Sequence, residues 1–175
     1  MKKLGIVLFS TAILLTGCAA NNSTNKTGSS SQTSSSQTAV NQKELDKATA
    51  DYKSLVQGQI DQLLTDTEKF RDTLKEGKLD EAKKQYPLIR MAYERSEPIA
   101  ESFGESDVKI DFRLVDYVDE NKTEEGWSGF HRIEKIMWEQ NTTKGTESYA
   151  DQLVNDIKEL KAKIATVEVT PDMML

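Results

Sequence analysis

Between residues 42 and 76, apolar or core-compatible side chains fall at Leu45, Ala48, Tyr52, Leu55, Gln59, Leu63, Thr67, Phe70 and Leu74. Their steps of three and four trace one face of a long amphipathic helix. Gly77 stands where a helix-ending glycine belongs, since a residue with no Cβ enters the left-handed region without a clash. The pattern predicts a second helix over 79–103, with Ala82, Tyr86, Ile89 and Ala92 turned inward, and a short helix or irregular turn over 108–117. A further helix is predicted over 127–139. The last covers 147–167, with Tyr149, Leu153, Ile157, Leu160, Ile164 and Val167 in register. Glycines and polar clusters at Gly104, Asn121-Lys122-Thr123 and Thr142-Thr143-Lys144-Gly145 separate these pieces. No stretch alternates with the period of two that a half-buried strand requires. The expected fold is all-α, an up-and-down bundle of about four main helices.

The N-terminus follows another pattern. Lys2 and Lys3 precede an apolar run from Leu4 to Leu15, interrupted only by Gly5, Ser10 and Thr11. A cationic start and a short apolar run make a secretory signal peptide, whereas a permanent membrane span takes about 20 apolar residues. Leu15-Thr16-Gly17-Cys18 looks like a bacterial lipobox, which implies that Cys18 is diacylated and becomes the first mature residue. Two acyl chains anchor a protein stably where one does not. The expected location is therefore the outer face of the bacterial plasma membrane, held by the diacylglyceryl group on Cys18. Cys18 is also the sole cysteine, so no disulfide forms within the chain.

From Ala19 to Thr38 nearly every residue is Ser, Thr, Asn, Gln or Gly. Such a segment buries too little apolar surface to offset its ordering entropy, and as a flexible coil it spans roughly 25 Å. The expected division is a signal peptide over 1–17, a lipidated cysteine and flexible linker over 18–40, one helical domain over 41–169 and a tail over 170–175.

Charge narrows the partners. Removal of 1–17 takes Lys2 and Lys3 and no acid, so a formal net charge of −6 becomes −8. An acidic domain beside an anionic membrane is a poor ligand for nucleic acid or lipid headgroups, and a cation is the more natural small partner.

The chain has one histidine, His131, in Gly129-Phe130-His131-Arg132-Ile133-Glu134-Lys135. On a helix, His131 and Glu134 project from the same face. Trp127 lies four residues before His131, and Trp138 four after Glu134, beside a stripe of Phe130, Ile133 and Met137. A polar pair in that setting is satisfied either by a hydrogen bond across the turn or by a cation bound to both. The predicted second helix carries Glu94, Glu97 and Glu101 at spacings of three and four. Carboxylates so placed repel unless counter-charges or a metal hold them. Pro98 sits among them, where a missing N–H and a clash with the Glu94 carbonyl predict a kink. A single histidine cannot supply His-Glu-x-x-His, and no glycine-rich phosphate loop is present.

Three blocks in this order, Tyr93 to Glu101, Gly129 to Lys135 and Asn141 to Gly145, resemble the EfeO/EfeM family of iron-uptake proteins within the imelysin-like group. The resemblance runs from about Tyr52 to Val167. It implies a helical bundle with a metal-binding cleft, the ligands being His131 and Glu134 from one helix, Glu94 and Glu97 from the preceding one, and Asp111 between them. Carboxylates with one imidazole suit iron, zinc or another divalent metal rather than Cu(I). The resemblance also implies work beside an iron permease, with a peroxidase-type protein of the same uptake system as a further partner. Family members continue past the position of Val167 with a second helical half that closes the cleft. The resemblance thus covers an N-terminal half only, and implies a truncated, split or fragmentary form with apolar faces left exposed.

The expectation is a non-enzymatic, metal-binding lipoprotein that captures iron outside the membrane for a permease. Two rivals stand beside it. Imelysin-like proteins have been classed as peptidases, and a metallopeptidase would need an open metal position and a general base such as Glu134 or Glu97. A polysaccharide-binding module would use Trp127 and Trp138 as stacking platforms, although helical periodicity places both tryptophans in the core.

Overall fold

In the computed structural model, residues 33–174 are described, with side chains from residue 41 onward. The predicted signal sequence, Cys18 and most of the predicted linker lie outside the described residues. The first helix, α1 (Thr33–Lys75), takes in residues 33–40, which the composition assigns to the linker. Extending an existing helix costs only a few tenths of a kcal/mol per polar residue. Gly77 follows α1 with φ +77°, and its N–H bonds to the Leu74 carbonyl at 3.0 Å.

The buried stripe of α1 is Val56, Ile60, Leu63, Thr67, Phe70 and Leu74. This corrects the predicted face at its N-terminal end, where Leu55 is 58% exposed and Leu45 also faces out. Leu55 and Val56 are adjacent, as are Gln59 and Ile60. The helix turns inward the pair that is apolar at both levels.

The predicted second helix is three pieces: α2 (Leu79–Glu94), α3 (Glu97–Glu101) and α4 (Gly104–Asp111). Pro98 is the cause. Instead of kinking a continuous helix it occupies the second position of α3, where a missing N–H costs nothing, with Ser96 as N-cap. Glu101, expected on one face with Glu94 and Glu97, is consequently exposed outside their cleft. Pro87 lies inside α2, which continues through it. The segment read as a short helix or turn contains the end of α4 and the start of α5 (Leu114–Asn121), which has no buried residue.

The helix predicted over 127–139 begins later, as α6 (Phe130–Glu139), because Gly129 adopts φ 84° and ψ −165°. The last helix, α7 (Glu147–Thr166), buries Leu153, Ile157, Leu160 and Ile164 as the periodicity requires. The chain end folds back as a 3-10 turn, Pro171–Met174, with Met173 and Met174 packed on the core.

The architecture is all-α, and no strand occurs among the described residues. Helix α1 packs along both α2 and α7, and α6 closes over α2, α4 and α7. Phe70, Tyr86, Phe130 and Tyr93 form a run of tilted aromatic contacts with centroids 5.8–6.2 Å apart, so the C-terminal half of α2 is fixed against α6. Leu88, Met91, Val115 and Trp138 remain exposed on α2, α5 and α6.

Candidate functional site

The C-terminal end of α4 and the start of α6 are stitched together by hydrogen bonds. The last carbonyls of a helix have no intrahelical partner, and Trp127 and Ser128 satisfy two of them here. The Trp127 indole Nε1 donates to the Phe112 carbonyl at 2.6 Å, and the Ser128 hydroxyl donates to the Lys109 carbonyl at 3.1 Å. Gly129 lies so close that a Cβ there would sit 2.3 Å from the Ile110 carbonyl oxygen. This contact carries Asp111, the last residue of α4, alongside His131, in the first turn of α6.

His131 Nδ1 lies 2.8 Å from Glu134 Oε2, so the carboxylate accepts from Nδ1–H across one turn. The other ring nitrogen, Nε2, is 3.6 Å from Asp111 Oδ1. Among the two remedies open from the sequence, the hydrogen bond is present, and it leaves Nε2 turned toward the acidic side.

That side is a cavity of about 430 Å³ lined by Arg90, Glu94, Glu97, Asp107, Asp111 and His131, with Phe112, Arg113 and Asp116 at its edge. Glu134 faces the neighbouring groove of about 470 Å³, together with Trp127 and Trp138. His131 forms the ridge between them. Glu94, Glu97, Asp111 and His131 are therefore brought to one cavity, and Glu134 stands behind the imidazole. A third cavity of about 460 Å³, between α1 and residues 167–171, is far simpler, its Lys53 donating to the Val167 carbonyl at 2.6 Å.

Arg90 is the residue that sequence reasoning missed. Its guanidinium donates to both Asp111 and Glu94, the latter at 2.5 Å, and its Cζ lies 5.3 Å from the Phe130 ring centroid and 5.9 Å from that of Tyr93. The i,i+4 spacing from Arg90 to Glu94 was the available signal. Its reach to Asp111 depends on the fold. Among the described residues no three His, Cys, Asp or Glu side chains already converge as ligands on one point. Arg90 lies among them instead.

Burial shifts two carboxyls of the cleft, Glu97 and Asp111. Glu97 is pushed up to about 7, first by burial and then by the adjacent Glu94 carboxylate, with Asp111 adding to it. Asp111 is also raised by burial, against the pull of Arg90 and His131. Tyr93, fully buried, donates from its hydroxyl to Asp107 at 2.8 Å, and burial raises its phenol well above the usual range. The Tyr86 phenol is raised for the same reason, and its buried hydroxyl has no hydrogen-bond partner in the protein. The site is thus an acidic, partly desolvated cleft with one imidazole nitrogen facing it and one guanidinium lodged in it.

The imelysin family model matches residues 48–174, which include every one of these site residues. The chain belongs to the imelysin family. This imelysin-family chain is 43% identical over its whole length to a protein of Staphylococcus haemolyticus named an EfeM/EfeO family lipoprotein. It is 45% identical over 133 residues, 75% of its length, to a Staphylococcus aureus protein of the same name. It spans 61% of the first relative's length and 46% of the second's. Among the described residues, no helix is long and apolar enough to cross a membrane.

Proposed function

We propose that this chain is a lipid-anchored, non-enzymatic metal-binding protein of an iron-uptake system, which takes up iron outside the plasma membrane and passes it to a permease. The observation that carries the reading is His131. One ring nitrogen is fixed by a carboxylate and the other faces a cavity lined by Glu94, Glu97 and Asp111. A metal-binding histidine characteristically donates its second N–H to a carboxylate, which fixes the tautomer and raises ligand basicity. Two ligands each about 2.1 Å from an ion are roughly 3.0–3.4 Å apart, and Nε2 lies 3.6 Å from Asp111 Oδ1. In this reading His131 and Asp111 bind the ion, Glu94 and Glu97 complete an oxygen-rich shell, and Glu134 orients the imidazole. Such a shell accepts iron, zinc or another divalent metal, and iron is chosen among them on the family resemblance.

The lipoprotein names of the relatives support the anchor at Cys18, and the resemblance to EfeO/EfeM proteins supports iron as cargo and a permease as receiver. Among the described residues neither cavity beside His131 is lined by a serine, threonine or cysteine, which argues against a hydrolase built on a side-chain nucleophile. Trp127 is 3% exposed and offers no stacking platform for a sugar, whereas Trp138, expected in the core, is 45% exposed, with its ring against Tyr86 and Lys83.

Anaerobic titration of the purified protein with Fe(II), for wild type, His131→Ala and Glu134→Ala, tests the proposal. Saturable binding that weakens in both variants is expected. Equal affinity in all three proteins would refute it, and peptide turnover abolished by a chelator would point to a hydrolase.

A further inference from the structure

Within the cavity, one oxygen carries two claims. Asp111 Oδ1 accepts from Arg90 and is also the atom nearest His131 Nε2. A metal held by Nε2 and Oδ1 would therefore lie against the Arg90 guanidinium. That guanidinium also takes Glu94 Oε1, at 2.5 Å. Arg90 is 14% exposed and Asp111 11%, so neither charge is well compensated by water. Arg113, the other basic side chain that lines the cleft, is 69% exposed and donates to Asp116 at 2.7 Å, and Lys135, in the neighbouring groove, pairs with Glu139 at 2.9 Å.

We infer that Arg90 is a built-in counter-ion that occupies the cation site when no metal is present, and that loading is an exchange of guanidinium for metal at Asp111 and Glu94. This inference rests on reading the cleft as a metal site. A buried carboxylate without a partner is costly, so an empty site of this composition needs a resident cation to stay folded. The guanidinium holds both carboxylates at once, through Nη1 to Asp111 and Nη2 to Glu94. It also lies over the Phe130 and Tyr93 rings and hence has an apolar rest on which to pivot. Competition by Arg90 lowers the net affinity for metal. It also stabilises the carboxylates as the metal leaves, which suits a site that must give up its cargo.

Linkage sets the sign of the test. Two cations that exclude one another from the same groups each weaken the other, and removing one strengthens the other, typically by something on the order of tenfold. Fe(II) affinity measured anaerobically on the wild-type protein, Arg90→Gln and Arg90→Lys should rise about tenfold in Arg90→Gln and by a smaller factor in Arg90→Lys. Without metal, Arg90→Gln should unfold at a lower temperature than wild type, and saturating Fe(II) should raise its Tm by more than it raises the wild type's. A merely structural arginine would lower stability with and without metal alike, and would weaken binding.

Should Arg90→Gln fail to fold, Arg90→Lys keeps a charge on the same stem and carries the same prediction. Equal or weaker binding in the variants, with the wild type binding, overturns the exchange and leaves the metal site standing. Absence of binding in the wild type and both variants overturns the metal site and the exchange together.

Discussion

Gly129 is the most economical lever on the site. It joins α6 to the end of α4, so its replacement by alanine tests both the fold and the positioning of His131. At φ 84° and ψ −165° it occupies a region open essentially to glycine alone, which costs an alanine on the order of 1–3 kcal/mol. The added Cβ would stand 2.3 Å from the Ile110 oxygen, 2.6 Å from its carbonyl carbon and 2.7 Å from the Lys109 oxygen. These are backbone atoms, unable to swing aside as a flexible side chain would. Overpacking of this kind adds another 1–3 kcal/mol or so. The expected loss in Gly129→Ala is about 4 kcal/mol, or a fall in Tm on the order of 10 °C. Gly77→Ala is the control. It too has positive φ, yet an added Cβ meets nothing within 4 Å, so only the left-handed penalty of roughly 1 kcal/mol applies. Urea unfolding followed by circular dichroism measures both. Equal losses in the two variants would refute the claim that α4 and α6 are held in contact at Gly129.

The remaining predictions concern the site and the anchor. Glu134→Gln leaves an amide behind the imidazole in place of a carboxylate, and should weaken Fe(II) binding about 10–100-fold while barely moving Tm; calorimetry and thermal unfolding on the same samples separate the two effects. The Glu97 carboxyl, raised to about 7 from 4.5, contributes stability that is fully present below the unfolded value and is lost as pH rises through 7. Glu97→Gln should therefore unfold at a higher temperature than wild type above neutrality, with the gap closing toward pH 4.5, and wild-type metal affinity should rise with pH across the same window as the ion displaces the proton. Identical Tm-versus-pH curves for the two proteins would contradict this. Cys18→Ser should move the protein from the membrane fraction to the medium or leave the precursor unprocessed, as blotting of cell fractions would show; membrane association of a chain processed to the wild-type length would rule out the lipid anchor.

Much of the bundle was legible because its long helices have a single apolar face. In α7 the periodic reading places Leu153, Ile157, Leu160 and Ile164 correctly, although the buried stripe is wider, taking in Ala150, Val154 and Asp156, while Tyr149 and Val167 are only partly buried. In α1 two stripes run side by side, and only packing against α2 and α7 selects Val56 and Ile60 over Leu55. The prolines show the same limit. Pro98 ends one helix and starts the next, whereas Pro87 is absorbed within α2. Local stereochemistry disfavours both, and the choice between them is tertiary. The pairing of His131 with Glu134 was readable from a spacing of three. Its approach to Asp111 was not, because that contact depends on a glycine backed against a helix end. Arg90 was hidden for a like reason, since the partner that gives it a role lies 21 positions further along the chain.

The central claim is that His131 and the carboxylates around it hold a single iron ion. X-ray absorption at the iron edge, on the Fe(II)-loaded protein and on His131→Ala, tests it most directly. A first shell of oxygens with one imidazole is predicted for wild type, the imidazole scattering being lost in the variant. The same oxygen-only spectrum from both proteins would contradict it.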